Sequence, residues 1–214
     1  MTAGDPTEGL SELERAAGGD PAAWQGLVRQ HADRLRRMLL LRLDPRIRGR
    51  VDPSDVLQEA FLDAARGLAE YVRRPPLPFY LWLRQLAGTR LAKAHRRHLG
   101  AQARDARREV GLAGDRPPDV SSAVLAEGLL GREARPSEQA MRAELRARLE
   151  QALDRLGALD REVIALRHFE HLNNAEAACV LGLSVSAASK RYVRALGRLR
   201  DVLGEPSGEG RGGG

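Results

Sequence analysis

Lys190, Arg191, Arg194 and Arg198 fall on one side of a helical repeat whose other side carries Val185, Ala188, Tyr192, Ala195, Leu196 and Leu199. Cationic side chains at that spacing donate to phosphate oxygens, and those near the helix start can reach base edges. Lys190 and Arg191, in the first two turns, are expected at base edges, and Arg194 and Arg198 at phosphates. Ser184 is placed to cap this helix, and Ser186 and Ala187 lie on its cationic side. A second set has the opposite sign: Asp52, Asp55, Glu59, Asp63 and Glu70 against Arg66 alone, in a chain of net charge +6. A third, residues 71–110, holds ten basic and two acidic residues. An acidic helix is a poor ligand for DNA, whereas both basic segments suit a polyanion.

Catalytic chemistry is not indicated. His95 and His98 lie among arginines, with no acidic partner at metal-ligand spacing, and read as surface histidines. His168 and His171 lack a metal set as well. The single cysteine, Cys179, excludes an intramolecular disulfide framework and a multi-cysteine zinc site, and reads as packing in a short helix. There is no Gly-rich phosphate loop, nucleophile elbow or zinc motif. The expectation is a binding protein with no cofactor and no metal. No apolar run approaches the ~20 residues of a membrane span, so a soluble, cytoplasmic protein without membrane attachment is expected.

The elements that must position these residues are helical. The chain has 33 Leu and 32 Ala but 12 Val, 2 Ile and 3 Thr, so strand formers are scarce and helix formers abundant. The fold class is all-α. Trp24, Leu27, Val28, His31, Leu35, Met38 and Leu39 mark a first helix, which Leu43-Asp44-Pro45 ends. Asp52 caps a second, with Pro53 at its first position and Leu57, Phe61, Ala64 and Leu68 as its buried stripe. The stiff segment Arg73-Arg74-Pro75-Pro76-Leu77-Pro78 leads to a third, apolar from Phe79 and basic by Arg97. Leu145, Leu149, Leu153 and Leu156 line a fourth. Asp160 is placed to cap the next, Asn173 and Glu176 match a capping box, and Gly182 turns the chain into the helix at Ser184. The combination from Asn173 to Arg200 reads as helix-turn-helix. The expected organisation is a flexible tail (1–19), a helical domain (20–99), a linker (100–137) with one helical turn at the apolar patch of Val124, Leu125, Leu129 and Leu130, a second helical domain (138–204) and a short flexible tail (205–214).

Over residues 20–203 the chain resembles the extracytoplasmic-function (ECF) group of bacterial RNA polymerase sigma factors, whose two helical domains are called regions 2 and 4. Val51-Asp52-Pro53-Ser54-Asp55-Val56-Leu57-Gln58-Glu59-Ala60-Phe61-Leu62 resembles the family's core-binding helix. Phe79-Tyr80-Leu81-Trp82-Leu83-Arg84-Gln85-Leu86-Ala87 resembles its promoter-opening helix. Leu159 to Arg167 and Leu181 to Ser186 resemble the part that reads the upstream element. Four blocks stand in the family's order.

The resemblance implies that Asp52, Asp55, Leu57, Gln58, Glu59, Phe61 and Leu62 lie in or beside a contact with the β′ clamp helices of core polymerase. Leu57 and Phe61 read also as core residues. It implies that Tyr71, Arg73, Arg74, Trp82, Arg84, Thr89, Arg90, Lys93, Arg96 and Arg97 engage the minus-ten element and the separated strand. The loop from Tyr71 to Pro78 would receive a flipped base, and Trp82 reads equally as core or as a strand-separating side chain. Ser184, Ser186, Ala187, Ser189, Lys190, Arg191, Arg194 and Arg198 would read the minus-thirty-five element. The implied partners are core polymerase, including its β flap, promoter DNA and an anti-sigma factor. Thr89 stands where the family commonly has Asn and Lys93 where it has Asp. Ser186-Ala187-Ala188-Ser189-Lys190-Arg191 replaces the frequent Gly-Thr-Val-Lys-Ser-Arg. A stand-alone helix-turn-helix regulator that binds operator DNA as a dimer is the alternative reading.

Overall fold

Local signals set the helix boundaries, and apolar stripes set what packs on what. A computed structural model describes residues 6–99, 118–131 and 139–204. Among these it contains nine α-helices and no strand, as the composition predicts. They divide into two units, with the boundary between Pro118 and Asp119.

The first unit holds α1 (Pro6–Ala17), α2 (Pro21–Arg42), α3 (Pro53–Arg73) and α4 (Phe79–Leu99). Asp20 starts α2 by accepting from the amides of Ala22 and Ala23 at 2.9 and 3.2 Å. Asp52 starts α3 by accepting from the Ser54 amide at 2.8 Å, and Pro53 fills the position whose amide would otherwise lack a partner. After α2, Asp44 caps the short 3-10 turn Pro45–Ile47, which drops Ile47 into the core. Leu35, Met38, Leu39, Ile47, Leu83 and Leu91 are almost fully buried, each contributing about 1.5–3 kcal/mol of apolar burial. Residues 1–19 do not form the expected loose tail throughout. Residues 6–17 are α1, and Ala16 joins Ala23, Leu27, Leu68 and Tyr71 in one apolar cluster, with Leu13 and Ala17 packed on it. The missed signal is the spacing of Leu13, Ala16 and Ala17, which acidic and glycine neighbours disguise.

The second unit holds α5 (Ser122–Leu130), α6 (Gln139–Asp154), α7 (Ala158–Ile164), α8 (Asn174–Leu181) and α9 (Val185–Gly204), with a π-helical turn at Ala165–Phe169. Part of the expected linker is therefore folded. Ser121 caps α5, Leu125 and Ala126 are fully buried, and α5 packs on α6. Gly128 lies against the Phe169 ring, where an added Cβ would come within 3.0 Å of Cζ and closer still to Cε1. Residues 100–117 and 132–137 of the linker reading, and the tail 205–214, lie outside the described residues.

Candidate nucleic-acid interface

The helix-turn-helix forms from the caps that its sequence announces. Asn173 accepts from the Glu176 amide at 2.9 Å, and Glu176 returns the bond from the Asn173 amide at 2.8 Å. Gly182 closes α8 in the left-handed region at φ 64°, which glycine alone adopts without strain. Ser184 then accepts from the Ala187 amide at 3.1 Å and opens α9. Ala188, Ala195 and Leu199 are buried, but Val185 and Leu196, expected with them, are exposed. The buried stripe is narrower than the sequence pattern suggested, because small alanines face the neighbouring helices. Cys179 is exposed rather than packed. Leu145, expected on an inner face, is 39% exposed.

The four cations of α9 divide into two pairs. Arg191 Nη1 donates to Asp160 Oδ1 at 2.6 Å, and Arg198 Nη1 to Asp160 Oδ2 at 3.0 Å. Asp160 is nearly buried and does not cap α7; the cap position is Gly157, with no side-chain bond. Arg191 and Arg198 thus hold α9 onto α7. Lys190 and Arg194 have no carboxylate partner among the described residues, and Ser186 and Ser189 are exposed beside them. Val193, 66% exposed, lies between these two cations and was missed by the sequence reasoning. Its helical angle, closer to Lys190 than to Ala188, is the signal that identifies it.

In the first unit, α3 and α4 run antiparallel. Trp82 stacks on Tyr71 with ring centroids 4.5 Å apart, and Arg90 reaches back to Glu59 and Asp63. This pairing sets the acidic start of α3 beside the basic end of α4. Asp55, Gln58, Glu59 and Leu62 form one exposed strip on α3, directed away from the buried Leu57, Ala60 and Ala64. Asp52 is exposed but occupied as the cap. Phe61 is half-buried, edge-on to Trp24 at 6.2 Å.

The basic stretch is less available than its charge count implies. Arg84 is 4% exposed and lies inside the unit, so the expectation that it meets DNA is corrected. Arg90 is bound by Asp63 through two bonds and by Glu59 at 3.0 Å. The guanidinium lowers the Asp63 pKa below the usual carboxylate value by hydrogen bonding, and that of Arg90 rises in return. Thr89 is half-buried and Arg73 pairs with Glu70 at 2.5 Å. Arg74, Lys93, Arg96 and Arg97 remain exposed, with no carboxylate partner among the described residues. Trp82 is half-buried against Gly67, and Tyr71 is buried, its hydroxyl donating to the Leu77 carbonyl at 2.9 Å. Burial raises the Tyr71 pKa. His95 is not a free surface histidine: it is half-buried, and its Nε2 accepts from the Asp44 amide at 3.3 Å. Beneath the proline segment is a cavity of about 430 Å³, walled by Leu13, Glu14, Tyr71, Val72 and residues 75–78.

Comparison with known proteins settles the family. Residues 146–199, which span most of α6 through α9, match sigma-70 region 4. The chain is 31% identical to the RNA polymerase sigma factor CnrH of Cupriavidus metallidurans, over 88% of this chain and 91% of CnrH. It belongs to the ECF RNA polymerase sigma factors. It is also 29% identical to the sigma factor CarQ of Myxococcus xanthus, covering 90% of this chain and 96% of CarQ. The ECF sigma factor SigE of Mycolicibacterium smegmatis is 30% identical, with 90% and 67% covered. Among solved structures, CnrH in complex with the cytosolic domain of CnrY is similar at a TM-score of 0.53 and 26% identity, covering 93% of this chain and 99% of that one. In this sigma factor, the matched segment contains both Asp160 and the arginines that hold it, so the α7–α9 clasp lies within region 4.

Proposed function

We propose that this sigma factor binds core RNA polymerase through the α3 strip, reads the minus-thirty-five element with α9 and opens the minus-ten element with α4 and the loop before it. The observation that carries the reading is Leu62. It is half exposed at the end of an otherwise polar strip, on the side of α3 that the fold does not use. An apolar side chain bordered by Gln58 and Glu59, with Arg66 on the next turn, fits an amphipathic partner surface whose basic groups meet the acidic end, such as a polymerase clamp helix. Asp55, Gln58 and Glu59 provide its polar rim. On α9, Lys190 and Arg194 with Ser186, Ser189 and Val193 form the reading surface, while Arg191 and Arg198 orient it. In the first unit, Arg74, Lys93, Arg96 and Arg97 hold the strand backbone. The β flap of polymerase is the partner proposed for the second unit. CnrH is solved in complex with the cytosolic domain of CnrY, and that likeness supports a further protein partner for this chain, for which an anti-sigma factor is the proposal. These partners place the protein in the cytoplasm.

Reconstitution tests the proposal. Core polymerase supplemented with this chain should start transcripts at discrete promoters, mapped by their 5′ ends, and a Leu62→Arg variant should abolish those starts. Operator binding by a dimer, with no effect on core polymerase, would replace this reading with that of a stand-alone regulator.

A further inference from the structure

Lysine is the rare cation of this chain. Of 35 basic residues, only Lys93 and Lys190 are lysines. They stand one in each unit, Lys93 on α4 and Lys190 on α9, the two helices proposed to meet promoter DNA. Both are exposed, and neither is ion-paired among the described residues. Arginine serves a phosphate at least as well through its planar fork, and its guanidinium keeps its proton. What lysine adds is a compact primary amine that, once deprotonated, is a nucleophile.

Each amine has anion-binding groups at its side. Arg194 Nε donates to the Lys190 carbonyl at 3.3 Å, which keeps that guanidinium beside the Lys190 turn. Arg96 and Arg97 follow Lys93 by three and four residues, the spacing that sets helical side chains next to one another. Lys93 also shares a cleft with Arg50, Arg97 and His98. Of the acids on that cleft, Asp52 caps α3 and Glu59 holds Arg90, which leaves Asp55 as the counter-charge.

We propose that Lys93 and Lys190 are acylation sites for a small acyl phosphate, whose phosphoryl group the neighbouring arginines bind. The inference rests on the proposed DNA contacts of α4 and α9, and acylation acts on the chain before it meets DNA. The neutral ε-amine attacks the carbonyl carbon of the donor. The N–C bond forms, the C–O bond to phosphate breaks, phosphate leaves with the electron pair, and the spare amine proton passes to water. Nothing is oxidised or reduced. The product is a neutral amide, so each event removes one positive charge from one DNA-facing helix. With lysine at only these two positions, lysine acylation is confined to those two helices.

Acetyl phosphate added to the full chain is the probe, and peptide mass spectrometry gives the rate at each lysine. Arg194→Ala should slow acetylation of Lys190 about threefold and leave that of Lys93 unchanged, and Arg96→Ala/Arg97→Ala should do the reverse. Protein acetylated at Lys190 should bind minus-thirty-five duplex about fivefold more weakly, with a salt slope smaller by about one. Acetylation at Lys93 should shorten the lifetime of open complexes formed with core polymerase. Lys93→Arg/Lys190→Arg, whatever its own affinity, should lose nothing on treatment, which removes Cys179 and the hydroxyl groups as sources of the effect. Equal acetylation rates in the parent and the arginine-to-alanine variants would overturn the inference. So would acetylation at both lysines that leaves duplex binding and open complexes as they were. If Lys190→Ala and Lys93→Ala themselves bind and open promoters as the parent does, the DNA reading of α4 and α9 falls, and this inference with it.

Discussion

Arg191 Nη1 lies 2.6 Å from Asp160 Oδ1, joining the middle of α9 to α7 across 31 residues of sequence. Together with Arg198 it neutralises a carboxylate that is nearly buried. Removing the carboxylate leaves two guanidinium groups without their partner at the helix interface. Asp160→Ala should therefore destabilise the second unit by about 1–3 kcal/mol. Thermal melts of the full chain followed by circular dichroism would show this as a lower or earlier transition.

Lys190→Ala and Arg194→Ala should behave in the opposite way. Stability should stay within about 0.5 kcal/mol, while affinity for minus-thirty-five DNA falls. If each contacts a phosphate, the slope of log affinity against log salt should decrease by about one per substitution. Fluorescence anisotropy across a salt series measures both quantities. An Arg191→Ala protein that melts normally and loses only DNA affinity would contradict this division of labour.

On α3 the contrast is between neighbours. Leu57→Ala should cost about 2–4 kcal/mol, because Leu57 is buried in the first unit. Replacing Asp55, Gln58 and Glu59 together by alanine should leave folding nearly intact and weaken core polymerase binding at least tenfold. Glu59 alone carries a structural side effect, since it shares Arg90 with Asp63. Sedimentation or surface capture with core enzyme separates the two outcomes.

Gly128→Ala should lift α5 from the second unit. The new methyl group would overlap the Cε1 edge of the Phe169 ring, so the helix must shift or the ring must turn. Overpacking of this kind costs about 1–3 kcal/mol, and a Phe169→Leu second change should recover part of it. Faster proteolysis within residues 122–130, with α9 still protected, is the expected signature.

The Asp44 pKa is lowered from 3.8 to about 2, first by its hydrogen bond to Arg46. A depressed folded-state value stabilises above the unfolded pKa, and that contribution is lost as pH falls. Asp44→Asn keeps the cap on the Arg46 amide but removes the charge. The variant should be less stable than the parent at pH 6, and the gap should close between pH 3.8 and 2. Because Arg46 is 67% exposed, solvent screening limits the difference to about 1 kcal/mol. Urea midpoints measured at both ends of that window provide the check.

Much of the fold was legible before any coordinates. The Asp52-Pro53 start of α3, the end of α2 before Asp44-Pro45, the Asn173–Glu176 capping box and the Gly182 turn all stand where their residues announce them. The acidic strip of α3 was legible too, because residues 55, 58, 59 and 62 share a face of any helix. Less legible were α1, whose apolar residues are few, and α5, whose short apolar run of Val124, Leu125, Leu129 and Leu130 gains meaning only once α6 is packed against it. Arg84 and His95 were misread for a related reason: their helix predicts charge along its length, but not which turns the neighbouring helices cover.

The amino-acid sequence by itself determined the stripes, and most of the caps, of seven of the nine helices among the described residues, together with the all-α class and the family, because those signals act over one or two turns of chain. Tertiary packing alone decided which cations are available. Lys190, Arg191, Arg194 and Arg198 share one broad face of α9, and only the arrival of Asp160 from α7 engages Arg191 and Arg198 and leaves Lys190 and Arg194 open. Charge is a property of a residue, but its availability depends on what the fold sets within about 3 Å of it.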